Sequence, residues 1–277
     1  FDETILKFKI EQKKFQDNKI YVPLDLKKFL HEYKNSEFLE CSYSLTKKNF
    51  NNFGYVQYGK KSLMFSEKLK YIAQTLESLG VEYWLAGGTL LGWYRDCGFI
   101  PHTTDLDIGL FSQQHDSRVK KSFLGNKKAA LIVEFGFPND SYELRLDSEK
   151  LQIDLFYFYD LNSTHHWCGY QEKRVKKRRF LTKSNLCSGE LFGQKYLVPC
   201  RVENYLNEEY GTNLWKVPKT NDYVWSNLVY WKNWTEAEWL NAIKFYHQDG
   251  SFLAKETLDY INIDEIEYAY PNRYSNK

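Results

Sequence analysis

Asp105-Leu106-Asp107 is the segment of this chain whose side chains are best spaced for chemistry. In a strand, residues two apart point to the same face. The two carboxylates would then stand about 6–7 Å apart along it. Like charges that close repel unless a cation lies between them. Mg²⁺ is commonly held by one or two carboxylates together with phosphate oxygens. Leu106 and Ile108 would face the other way, into a core. An isolated pair of this kind is more often two solvated acids on a half-exposed strand, so its weight depends on its company.

Two further groups supply that company. Gly87-Gly88-Thr89 stands between a short apolar run and a helical pattern. Glycines at such a junction let backbone amides approach an anion, and a helix start adds favourable partial charge for phosphate. A plain tight turn is the simpler alternative. Asp154 is embedded in Leu151-Gln152-Ile153-Asp154-Leu155-Phe156-Tyr157-Phe158-Tyr159. A carboxylate in so apolar a strand is costly unless it is paired or metal-bound. An arginine or backbone donor facing it would serve equally well.

The elements that must position these residues can be read from periodicity. Leu69, Ile72, Ala73, Leu76 and Leu79 recur at helical spacing, which predicts a helix over 66–79 from Ser66 to the terminator Gly80. Residues 81–86 predict a strand, 89–97 a helix stopped before Pro101, 105–111 a second strand and 130–135 a third. Residues 142–146 and 151–159 predict a hairpin with its turn at 147–150. The basic stretch 165–188 reads as a loop-like insert, 202–210 as a helix ending at Gly211, and 235–246 as an amphipathic helix capped by Thr235. The tail beyond 260 is acidic and aromatic. A strand, a glycine turn, a helix, a strand with two acids and a hairpin strand with a third is the layout of the nucleotidyltransferase fold. The expected class is therefore α/β (α+β): a nucleotidyltransferase-fold core over 61–277 with a helical C-terminal part, preceded by an accessory region over 1–60.

Composition narrows the classes. The 277 residues suit one sizeable domain. A net charge of +2 argues against a nucleic-acid binder by charge alone. No apolar run reaches membrane-spanning length. The chain begins at Phe1 rather than Met, which reads as a processed or trimmed fragment. Its five cysteines fit either small core residues or, in a secretory setting, one or two disulfides with a leftover thiol. Sequons at Asn139, Asn162 and Asn233 barely favour secretion. The basic run Lys173, Arg174, Lys176, Lys177, Arg178 and Arg179 reads as a solvated loop, with attraction of an anionic ligand as the functional alternative.

The stretch from Leu85-Ala86-Gly87-Gly88-Thr89-Leu90-Leu91-Gly92-Trp93-Tyr94-Arg95 through Ile100-Pro101-His102-Thr103-Thr104-Asp105-Leu106-Asp107-Ile108-Gly109 resembles the LicD family, and within it the fukutin-like branch. Asp154 falls where the family has its third acid. Val198-Pro199-Cys200 and Tyr205-Leu206-Asn207-Glu208-Glu209-Tyr210-Gly211 through Trp215 and Pro218 resemble its closing segment. The resemblance covers roughly residues 65–220. Many bacterial members carry an extra acid just ahead of the D-x-D pair. Thr104 stands there in this chain, as in the fukutin-like branch.

The resemblance implies transfer of a phospho-alcohol from a CDP-alcohol to a glycan hydroxyl, with release of CMP, in the Golgi lumen by a membrane-anchored protein. Asp105, Asp107 and Asp154 would hold Mg²⁺ or Mn²⁺ against the donor. Asp154 could also accept the acceptor's proton. Gly87, Gly88 and Thr89 would cradle phosphate, and Arg95 could pair one bidentately or form a surface salt bridge instead. His102 would serve as a positioning residue rather than a base. Ribitol is favoured as the alcohol over choline and glycerol. A choline donor would need an aromatic cage, for which Trp84, Trp93, Tyr94 and Trp167 are candidates. The competing functions are a nucleotidyltransferase acting on a small molecule or protein and a catalytically silent glycan-binding member. Because the family includes a zinc-binding insert in the corresponding region, zinc is weighed for His165, His166, Cys168 and Cys187. Their spacing matches no recognised zinc pattern, and core packing or a disulfide through Cys187 or Cys200 is preferred.

Overall fold

A computed structural model describes residues 9–35, 37–53, 60–172, 174–218 and 227–253. It opens with an antiparallel hairpin, β1 (Ile10–Phe15) and β2 (Asn18–Pro23), then helix α1 (Leu26–Lys34), the short strand β3 (Phe38–Leu39) and helix α2 (Tyr43–Phe53). Residues 41–46 are tied to residues 94–97. The Ser42 N–H donates to the Tyr94 carbonyl at 2.8 Å, the Thr46 hydroxyl donates to the Arg95 carbonyl at 2.9 Å, and Cys41 is disulfide-bonded to Cys97.

The helix expected over 66–79 starts earlier, as α3 (Lys60–Leu79), and buries Phe65, Leu69, Ile72, Ala73 and Leu76 on one face. Gly80, at φ +72, turns the chain out of it. Strand β4 (Tyr83–Leu85) enters the core and leads into helix α4 (Gly87–Asp96), which begins at the glycine pair rather than at Thr89. Strand β5 (Asp105–Phe111) and helix α5 (Ser117–Phe123) come next, the latter capped by the Asp116 side chain, which accepts from the Arg118 N–H.

Strands β6 (Ala130–Phe137), β7 (Asp140–Ser148) and β8 (Leu151–Asp160) come after α5. The expected hairpin is the β7–β8 pair, with Glu149 and Lys150 at positive φ in its turn. The chain continues through β9 (His165–Glu172), β10 (Val175–Thr182), β11 (Leu186–Leu191), β12 (Gln194–Pro199), α6 (Val202–Tyr210), β13 (Val229–Asn233), α7 (Glu236–Ala242) and β14 (Ile243–Phe245). The larger sheet runs β13-β10-β9-β8-β7-β6-β14. Strand β5 joins it parallel to β8, and β4 joins antiparallel to β5. A smaller sheet, β12-β11-β3, includes the N-terminal strand through a parallel pairing with β11. The class is mixed α/β and strand-rich. The main core lies between the large sheet and α3, α4 and α6, around Leu69, Leu106, Ile153 and Leu206.

Two expectations are corrected. The basic insert over 165–188 is not a loop: residues 165–172 and 175–182 pair as the antiparallel strands β9 and β10, and β11 begins at Leu186. Three of its charges are satisfied inside the structure. Lys176 is buried against Asp140 at 2.6 Å and lies over the Trp234 ring, and Arg179 is buried in an ion pair with Glu209. Arg178 is sandwiched between the rings of Trp167 and Trp231 at 3.6 and 3.9 Å. The C-terminal part is not predominantly helical among the described residues. The helix expected over 235–246 has its capping box at Thr235 but ends at Ala242, because Ile243–Phe245 pairs with β6 and buries Ile243 and Phe245 against Ile132, Val133 and Phe135. The acidic, aromatic tail lies outside the described residues. No described helix is long and apolar enough to cross a membrane.

Four cysteines form the pairs Cys41–Cys97 and Cys187–Cys200, and Cys168 is a buried free thiol. Mass analysis of alkylated, unreduced protein should therefore find one thiol, reactive only after denaturation. From the chain separations of 56 and 13 residues, loop-closure entropy predicts a stabilisation of about 4 kcal/mol for Cys41–Cys97 and about 3 kcal/mol for Cys187–Cys200. Denaturant midpoints of C41S/C97S and C187S/C200S should fall in that order. Five free thiols in the native protein would contradict the pairing.

Candidate functional site

The parallel alignment of β5 with β8 sets Asp107 opposite Asp154 and Asp105 opposite Gln152. Because alternate residues of a strand share a face, all three aspartates point the same way. Each offers a carboxylate oxygen within 4.8 Å of the others. Asp107 and Asp154 are 7% and 3% exposed, while Asp105 is half-buried.

Each carboxylate has its own orienting partner. The Gly88 N–H donates to Asp107 Oδ2 at 2.6 Å, and the Asp107 N–H donates to the Thr89 hydroxyl at 2.7 Å. The Thr103 hydroxyl donates to Asp105 Oδ1 at 2.7 Å. Asp154 accepts on both oxygens, from Arg145 Nε at 2.9 Å and from Gln152 Nε2 at 2.6 Å. Arg145 reaches it from the neighbouring strand β7 and also donates to Glu143 at 3.0 Å. Burial alone would make the Arg145 guanidinium easier to deprotonate, but Asp154 and Glu143 hold it firmly charged.

The glycine pair belongs to this acid cluster. Gly87 has φ +48, and a Cβ there would stand 2.4 Å from Asp107 Oδ2. At Gly88 the same atom would be met at 3.3 Å. The glycines let the helix start close over Asp107. In this geometry the Gly88 amide, expected to cradle a phosphate, is engaged by the acid.

Arg95 departs further from its expected role. It is 4% exposed, its guanidinium is paired with Asp96 at 2.8 Å, and it donates to the Trp215 carbonyl at 3.2 Å. These contacts brace α4 against the segment after α6 and commit the guanidinium to the interior. His102 lies at the same end, where burial, then Arg95 and Lys61, lower its pKa. No zinc site forms from the residues weighed for one. Cys187 is in a disulfide, Cys168 is a buried thiol, and neither His165 nor His166 joins a potential ligand cluster among the described residues. Glu37 does lie near Cys187 and Cys200, but both sulfurs are bonded to each other.

Burial first, then Asp105 and Asp154, push the Asp107 carboxyl well above the usual range. Burial also raises Asp105, against the pull of Thr103. Two strained carboxylates beside an arginine-bound third, all oxygen donors, suit a hard divalent cation. The cluster could hold Mg²⁺ or Mn²⁺.

Arg145, Gln152 and Thr103 were not expected in the site. The turn expected over 147–150 would have set Glu143 opposite Asp154; the observed turn at 149–150 shifts the register and brings Arg145 there instead.

Residues 80–201 match the family described as LicD/FKTN/FKRP, nucleotidyltransferase domain. Among curated proteins, the chain is 35% identical over 239 residues to human ribitol-5-phosphate transferase FKTN, covering 82% of this chain and 50% of that protein. An uncharacterised Caenorhabditis elegans protein is 30% identical over 248 residues, covering 84% and 64%. Human ribitol 5-phosphate transferase FKRP is 32% identical over 103 residues, covering 35% and 20%. The chain thus spans about half the length of the FKTN proteins it matches.

The geometry makes two outcomes testable. A carboxyl whose folded pKa exceeds its unfolded value of ~3.9 contributes stability at low pH that is lost as pH rises through the folded value. Asp107 and Asp105 are of this kind, so a divalent cation should raise Tm more at about pH 8 than at about pH 5.5. Calorimetry with and without Mn²⁺ checks this, and equal gains at both pH values would count against the cluster as the binding site. Separately, G87A should weaken Mn²⁺ binding far more than G88A, since the first drives a Cβ to 2.4 Å from Asp107 Oδ2 and the second only to 3.3 Å. Equal losses would refute that role for Gly87.

Proposed function

Because the chain belongs to the LicD/FKTN/FKRP family through residues 80–201, we propose that it transfers ribitol 5-phosphate from CDP-ribitol to a glycan hydroxyl, with release of CMP, on a nucleotidyltransferase-type core. The observation that carries this reading is the convergence of Asp105, Asp107 and Asp154 on one point beside the glycine-started helix. The ribitol-5-phosphate transferase names of the FKTN and FKRP relatives support the alcohol.

In the proposed reaction the acceptor oxygen bonds to the phosphorus bearing ribitol, and the bond from that phosphorus to the CMP oxygen breaks. Such transfer depends on positioning and charge neutralisation more than on covalent catalysis. A divalent cation held by the three acids would offset the charge of the donor diphosphate. Asp154, with both oxygens already accepting hydrogen bonds, is suited to hold that cation rather than to take a proton. Asp105, the most open of the three, would receive the acceptor's proton. The start of α4 contributes partial positive charge on the donor side.

The aromatic residues weighed for a choline cage favour the polyol by their engagement elsewhere. Trp84 and Trp93 are each 1% exposed, Trp167 stacks on Tyr159 and under Arg178, and the Tyr94 hydroxyl donates to Glu203. Two disulfides suit an oxidising compartment, which supports the secretory lumen as the site of action.

Incubation with CDP-ribitol, CDP-glycerol and CDP-choline in the presence of Mg²⁺ and a panel of candidate acceptor glycans should release CMP chiefly from CDP-ribitol. D105N and D107N should lower turnover by about 10³-fold or more, the scale on which lost transition-state charge stabilisation is felt, while their circular dichroism stays native. Near-normal turnover in either variant would remove the acids from the mechanism.

A further inference from the structure

Lys61 lies in the first turn of α3, outside the family-matched segment, yet its ammonium reaches the acid cluster's rim. Nζ donates to the Pro101 carbonyl at 3.1 Å and to the Thr103 carbonyl at 2.6 Å. The Thr103 hydroxyl in turn holds Asp105. The ammonium also lies over the Phe65 ring at 5.3 Å, and Phe65 is buried. The position of the charge is therefore set by two carbonyls and a ring.

Three features make it suited to a phosphate. Ammonium carries three donors, and two are on neutral carbonyls that a phosphate oxygen can outcompete, since hydrogen bonds to charged groups are the stronger ones. The first turn of α3 contains no acidic residue to neutralise it. And it is exposed, whereas the basic side chains Arg95 and Arg179 are buried with carboxylate partners and Arg145 is held between Asp154 and Glu143. Its position relative to the acids matters as well. A Cβ built on Gly88 would stand 3.3 Å from Asp107 Oδ2 and 3.9 Å from Thr103 Oγ1. Thr103 thus borders both the glycine turn and the carboxylates, and Lys61 is bonded to its carbonyl.

We infer that Lys61 is a substrate-binding residue that contacts the diphosphate of the nucleotide donor, taking the place that the sequence offered to Arg95. This rests on the transferase reading only for the identity of the donor. Any diphosphate donor drawn to the acid cluster would meet the same ammonium. Lys61 exchanges its carbonyl partners for phosphate oxygens as the donor enters, and no bond is made or broken in that exchange.

The test uses inorganic pyrophosphate with Mg²⁺ as the probe, titrated calorimetrically into the wild type, K61Q and K61R. K61Q should bind Mg-pyrophosphate roughly tenfold to hundredfold more weakly, the scale of one lost charged hydrogen bond, and K61R should recover most of the loss. Affinity for Mn²⁺ alone should be unchanged in both. With CDP-ribitol, K61Q should raise KM while kcat changes little. Pyrophosphate binding equal to wild type in K61Q, no pyrophosphate binding by the wild type, or loss of Mn²⁺ affinity in K61Q would each overturn the assignment, the last by showing that Lys61 only props Asp105. If K61Q loses pyrophosphate but the wild type turns over no CDP-alcohol, Lys61 stands and the transferase reading falls.

Discussion

Three carboxylates held within 4.8 Å of one another in a largely buried setting impose the constraint around which this fold is arranged. Burial and mutual repulsion both disfavour the charged forms. Only a scaffold that fixes each one independently can keep them together. The parallel register of β5 on β8 does most of this, because it fixes Asp107 against Asp154 through seven consecutive residue pairs. An amide, a hydroxyl, a guanidinium and a side-chain amide then each hold one carboxylate in place. Removing one partner leaves a buried acid uncompensated, which costs more than the pair itself contributes.

The segment after β12 acts through the same scaffold at a distance. Glu208 accepts from the Thr182 N–H at 2.7 Å, and Glu209 is paired with Arg179, so consecutive acids of α6 grip both ends of a stretch of β10. Asn207 accepts from the Trp215 indole at 2.8 Å, and the Trp215 carbonyl accepts from Arg95 in α4. Tyr205 through Trp215 therefore locks the helix that carries the glycine pair. The residues of the closing segment that resemble the family most are, in this structure, parts of a brace.

Local pattern made much of this legible. The α3 face, the β7–β8 hairpin though not its register, the second strand and the three acids can be read from periodicity and from the physics of buried carboxylates. What stayed hidden was long-range. A run of six basic residues looks solvated unless Asp140 and Glu209, 36 and 30 residues away from their partners, are known to be adjacent. Arg95 looked free because Asp96 is its sequence neighbour, and side chains one apart on a helix do not normally face each other. The C-terminal helix was overestimated because its last residues serve the edge of β6, which no local signal reveals.

The pairing of the buried cations has a consequence for how an anionic donor could approach. Arg145 is committed to Asp154 and Glu143, Arg95 to Asp96, Arg179 to Glu209 and Lys176 to Asp140. Around the acid cluster this leaves Arg145 as one matched positive charge against Asp105, Asp107, Asp154 and Glu143. A single lysine at the rim does not reverse that balance. With its acids ionised and no cation bound, the site repels a diphosphate, and at about 4 Å in a partly screened setting each like-charge pair costs a few kcal/mol. Under the proposed reading, the donor would settle only together with a divalent cation or after it. The same repulsion that makes the cluster expensive to fold would, in that reading, make it selective for the cation-bound form of the donor.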